Sequence, residues 1–178
     1  MNRKTQKPFN WAHLLSLLRI ILAGVTACVI SQQDWVAATW FFCLAAITDV
    51  LDGPLSRRLG LASRLGTILD HSADAIFVTI VTGALWKGGY LPAILPVAIF
   101  AAFLQYVLDS KAFSGKPLRT NRLGKLNGIG YFILIGIALF ANSTATMDNL
   151  APVVNSLGYL LSITTLLSMI SRAFPKSL

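Results

Sequence analysis

The run WVAATWFFCLAAITDVLDGPL, from Trp35 to Leu55, decides what kind of protein this is. Its first fourteen residues carry no charge; then Asp49 and Asp52 appear three positions apart, followed at once by Gly53 and Pro54. A helix rises about 1.5 Å per residue, so these 21 residues are long enough to cross ~30 Å of hydrocarbon. The acids then fall toward one membrane surface, Asp49 lying about 21 Å beyond Trp35.

Five more apolar runs extend the pattern: Leu14–Ile30, Ala62–Trp86, Tyr90–Leu108, Ile129–Ala141 and Leu150–Ile170. The run at Ile129 is short unless it reaches back to Gly124. Of the 178 residues, 55% are hydrophobic and only 12% are charged, with a mean hydropathy of +0.67. Soluble domains carry ~25% charged residues, and disordered chains pair low hydrophobicity with high net charge. Both classes are excluded. With no repeat and no long linker, residues 1–178 form one all-α integral membrane domain of six transmembrane helices. Cys28 and Cys43 lie inside apolar runs and are expected to be small buried hydrophobes.

The basic residues set the topology. Fourteen of the 15 Lys and Arg lie before or at the first span, between spans two and three, between spans four and five, or at the end; Lys87 alone lies on the other side. The positive-inside rule puts both termini and both basic loops in the cytoplasm, so the net charge of +8 is topological and implies no nucleic-acid partner. Residues 1–13 read as a cytoplasmic tail leading into a short amphipathic juxtamembrane helix over Phe9–Leu18. Val25-Thr26-Ala27-Cys28 imitates a lipoprotein cleavage box, but Arg19 splits the apolar stretch and cleavage would spoil the even span count. The segment is read as retained.

All seven acids are Asp, and four fall between residues 49 and 74. Asp49 and Asp52 are three apart, Asp70 and Asp74 four apart, so each pair shares a helix face. A turn near Gly60 should make the two helices antiparallel neighbours whose carboxylates meet near the cytoplasmic ends. An Asp costs ~2.5–3.5 kcal/mol at a bilayer centre, and the four also repel one another. Pairing with Arg57, Arg58 and Arg64 explains two of them. Four on facing stripes, with glycine beside each group, fit divalent cations better: all-carboxylate donors suit Mg²⁺, Mn²⁺ or Ca²⁺, and Mg²⁺ commonly adds phosphate oxygens of a substrate.

Asp49-x-x-Asp52-Gly53-x-x-Ser56-Arg57, eight residues, then Gly66-x-x-x-Asp70-x-x-x-Asp74 resembles the signature of the CDP-alcohol phosphotransferase family, also called CDP-alcohol phosphatidyltransferases. Seven fixed positions match at the right spacing; at about one in twenty per position, chance gives on the order of 10⁻⁷. Ser56 stands where Ala is usual, a small-for-small departure. The resemblance implies transfer of a phosphatidyl group from CDP-diacylglycerol to an alcohol with release of CMP, in a homodimeric phospholipid-synthesis enzyme of the bacterial inner membrane whose active site faces the cytoplasm. It implies that Asp49, Asp52, Asp70 and Asp74 bind two ions of Mg²⁺ or Mn²⁺ and that Asp74 is also the base. Gly53, Arg57 and Ser63 match the family's CDP-binding positions. His13 and Ser16 stand where an Asn- or Asp-x-x-Thr/Ser pattern is common, His13 departing from it. His71, one residue past Asp70, should point away from the carboxylate face.

The basic segment from Lys111 to Lys125 bears on the acceptor. In the related phosphatidylglycerophosphate synthases such a loop binds an acceptor phosphate, which makes Lys116, Arg119 and Lys125 the candidates and sn-glycerol 3-phosphate the favoured acceptor. Inositol phosphate, serine and phosphatidylglycerol are the alternatives. Topology and attraction to anionic lipid explain the same charges equally well. A divalent-cation transporter is the competing class of function; it would distribute acids along several spans.

Overall fold

The computed structural model describes residues 11–58, 64–109 and 122–173. They form six helices in chain order: α1 (Trp11–Ser31), α2 (Trp35–Arg58), α3 (Arg64–Lys87), α4 (Ile94–Asp109), α5 (Arg122–Ser143) and α6 (Met147–Ala173). Three of them, α1 from Leu14, α5 and α6, are long and apolar enough by themselves to cross a membrane. Among the described residues, α2 and α4 contribute the apolar stretches Trp35–Val50 and Ile94–Leu108. Asp49 falls inside the α2 stretch, and α3 carries Asp70 and Asp74. Large apolar side chains point outward all round the bundle, with Trp40 72% and Val50 71% exposed, a surface suited to lipid rather than water.

Tight turns connect the helices. Gln33 and Ala145 take positive φ, and Gly89, at φ 82°, closes the turn after α3 where a side chain would be strained. Asp34 caps α2 by accepting the Ala37 amide at 3.1 Å. Hydroxyls inside the bundle satisfy themselves on the preceding turn: Thr26 donates to the Leu22 carbonyl, Thr82 to Val78 and Ser162 to Gly158, each at 2.7 Å. Gly158 permits α6 to press against Pro92, whose Cδ would lie 2.7 Å from an added Cβ.

Three expectations change. The two aspartate-bearing helices are not each other's main packing partners, because α1 packs against both. Among the described residues the side chains of α2 and α3 meet, as where the Phe42 and Phe77 rings stand 6.3 Å apart. Nor does a break set off a separate juxtamembrane helix among the described residues: Trp11–Leu18 is the first part of α1, drawn into the bundle by the burial of Ser16 and Arg19. Cys28 is exposed on the outer face of α1, and Cys43 is half-buried. The extension of the fifth span is present, since α5 begins at Arg122.

Candidate metal and substrate site

Asp49 on α2 and Asp70 and Asp74 on α3 each offer a carboxylate oxygen, and these oxygens lie within 4.8 Å of one another. The helical spacing brings the α3 pair to one face, and α1 supplies what holds them to Asp49. Arg19, completely buried, reaches all three. Its Nη1 donates to Asp70 Oδ1 at 3.0 Å and to Asp74 Oδ1, while Nη2 forms an ion pair with Asp49 Oδ1 at 3.1 Å. Below the cluster, Phe42 lies seven residues before Asp49 and Phe77 three after Asp74, on the same faces. These two rings and Phe132 of α5 form an aromatic floor, with Phe77 and Phe132 stacked at 5.9 Å.

Three carboxylates against one guanidinium leave the described cluster with a formal charge of −2. That surplus, and an all-oxygen donor set, fit a hard divalent cation. Asp52 follows Asp49 on the same face of α2; its side chain, like those of His13, Gly53 and Arg57, lies outside the described residues, as do Ser63, Lys116 and Arg119 entirely. Ser16 is buried one turn before Arg19, on the same face of α1.

A cavity of about 640 Å³ opens beside the cluster, enclosed by α2, α3, α4, α5 and α6. Asp49 and Asp74 line it and Asp70 does not. Lys125 and Arg172 line it too. The Arg172 guanidinium lies over the Tyr106 ring at 5.5 Å, and its Nε and Nη1 are buried without a hydrogen-bond partner among the described residues. A buried cation with unused donors is costly unless an anion completes it. His71 also lines the cavity, its ring 6.1 Å from that of Tyr106 and perpendicular to it. It therefore faces the same space as Asp74 but adds no ligand atom to the carboxylate cluster. In the cavity wall, Thr164 donates to Asn127 Oδ1 at 2.9 Å and the Tyr131 hydroxyl pairs with Thr165, tying α5 to α6.

Arg19 and Arg172 are the residues that the structure brings to the site and that sequence reasoning missed. Arg19 was available to it: a permanently charged side chain inside an apolar run needs a partner, and only the aspartates could provide one. Nothing in the local sequence marked Arg172 beyond its basic character.

A family model described as CDP-alcohol phosphatidyltransferase matches residues 9–170, nearly the whole of these helices. The chain belongs to that family. It is 29% identical over 156 residues to a CDP-diacylglycerol–glycerol-3-phosphate 3-phosphatidyltransferase of Cereibacter sphaeroides, covering 80% of this chain and 69% of that protein. The enzyme of the same name from Escherichia coli strain K12 is 41% identical over 75 residues, 40% of this chain and 41% of that protein. A CMP-forming cardiolipin synthase of Rattus norvegicus is 34% identical over 97 residues, 54% of this chain but only 32% of the synthase. The match thus spans about a third of the cardiolipin synthase. Membership accounts for the aspartate pattern, and these relatives divide between glycerol-3-phosphate 3-phosphatidyltransferases and a CMP-forming cardiolipin synthase.

Proposed function

We propose that this chain transfers the phosphatidyl group of CDP-diacylglycerol to an alcohol and releases CMP, with sn-glycerol 3-phosphate as acceptor. The observation that carries this is the convergence of Asp49, Asp70 and Asp74 at a cavity that also holds Lys125 and Arg172. Asp49, Asp52, Asp70 and Asp74 would hold two divalent cations, Mg²⁺ or Mn²⁺, which neutralise the diphosphate and polarise its phosphorus when bound.

The protein's own residues do the rest. Asp74, which faces the cavity, takes the proton of the acceptor hydroxyl. The acceptor oxygen bonds to the β-phosphorus as its bond to the bridging oxygen breaks, and that oxygen leaves with CMP. Gly53, Arg57 and Ser63, with His13 and Ser16 at the start of α1, bind the nucleotide; Arg57 offers a planar fork to the diphosphate. Lys125 and Arg172 bind the acceptor phosphate, together with Lys116 and Arg119. The glycerol-3-phosphate relative that covers most of this chain supports that acceptor, as do the Arg172 donors that have no partner among the described residues. The charge asymmetry supports six spans with both termini and the site on the cytoplasmic side of a bacterial inner membrane. A homodimer completes the proposal.

Purified protein in detergent, given labelled CDP-diacylglycerol, Mg²⁺ and one acceptor at a time, tests it. CMP release with sn-glycerol 3-phosphate, and not with phosphatidylglycerol, serine or inositol phosphate, is expected. Release only with phosphatidylglycerol would overturn the acceptor, and no release with any would overturn the reaction.

A further inference from the structure

Arg19 takes hold of the same three carboxylates that the proposed reaction needs for its cations. Its guanidinium contacts Oδ1 of Asp49, Asp70 and Asp74, the side chain is wholly buried, and Nε has no hydrogen-bond partner among the described residues. A guanidinium is permanently charged, so inside a membrane bundle it needs anions as much as the crowded carboxylates need a cation. We infer that Arg19 is a built-in stand-in for the divalent cation: it holds the carboxylates together while the site is metal-free and gives up their oxygens as metal enters. Arg19 is a positioning residue, not a ligand or a base.

Two consequences follow from competition for shared oxygens. Metal affinity is reduced by the fraction of time the guanidinium is in place, and the metal-free protein owes part of its stability to Arg19. A residue that merely supported the fold would act in the opposite sense on metal, since its removal would loosen the ligand set and weaken binding. The sign of the change in affinity therefore separates the two roles.

The inference rests on the aspartates being cation ligands, and the test keeps the two apart. Mn²⁺ alone, without either substrate, is titrated into wild type, Asp70→Asn, Arg19→Gln and Arg19→Lys in detergent, with binding followed by calorimetry and thermal unfolding measured with chelator and with Mn²⁺. In Arg19→Gln the Mn²⁺ dissociation constant is expected to fall at least ~10-fold, the ratio for a guanidinium in place nine-tenths of the time. The unfolding temperature in chelator should fall, and the rise on adding Mn²⁺ should exceed that of wild type. Arg19→Lys keeps the charge but has a single ammonium in place of the fork, so it should shift both quantities the same way by less, and it carries the test should the Gln variant fail to fold in chelator. Mn²⁺ binding that is unchanged or weaker in both Arg19 variants overturns the inference while leaving the metal site standing. Wild type with no Mn²⁺ binding that Asp70→Asn weakens overturns the metal site itself.

Discussion

Replacing Asp74 by Asn should cost ~10²- to 10⁴-fold in kcat, the usual contribution of a positioned general base, or about 3–5 kcal/mol of barrier. The structure supports a chemical rather than a structural loss. Asn has nearly the volume of Asp and keeps a carbonyl oxygen for Arg19, which retains its contacts with Asp49 and Asp70. Arg19 is wholly buried, but Asp49 and Asp70 still pair with it, so neutralising Asp74 strands no buried charge. Unfolding in detergent should shift by no more than about 1 kcal/mol. Asp70 is the comparator because it belongs to the cluster but does not line the cavity. Loss in Asp70→Asn should be partly recovered by raising Mn²⁺, whereas loss in Asp74→Asn should persist at saturating metal. The assay is CMP release at saturating CDP-diacylglycerol and acceptor, with melting measured on the same samples. A kcat within about fivefold of wild type, or recovery by Mn²⁺ equal to that of Asp70→Asn, would refute the base assignment.

Lys125→Ala and Arg172→Ala should each raise the KM for sn-glycerol 3-phosphate by about tenfold or more and leave the KM for CDP-diacylglycerol near wild type; an unchanged acceptor KM in both would leave the basic residues a purely topological role. Gly158→Ala should destabilise the bundle by about 1–3 kcal/mol, because the new methyl meets the rigid Pro92 ring at 2.7 Å, whereas Gly24→Ala, with nothing within 4 Å, should be neutral or stabilising by up to ~1 kcal/mol. Thermal unfolding of the two variants side by side decides it, and equal melting would contradict the close approach of α6 to the turn before α4.

What the sequence determined by itself is what depends on local period and composition. The apolar runs specify helices that face lipid, and spacings of three and four place each aspartate pair on one side of its helix. The pattern at Asp49, Asp52, Gly53, Arg57, Gly66, Asp70 and Asp74 was enough to identify the family. Which helix lies against which was not legible, because lipid is as apolar as the interior and a bundle helix carries little one-sided hydrophobic signal to mark its partner. Adjacency along the chain suggested that α2 and α3 pair directly; tertiary packing instead puts α1 against both and brings Arg19 to aspartates 51 and 55 residues away. The same packing turns Arg172, near the end of α6, toward the cavity that Lys125 lines at the start of α5. Helical geometry set the rows of charged groups. Only the assembled bundle decided which opposite charges would meet.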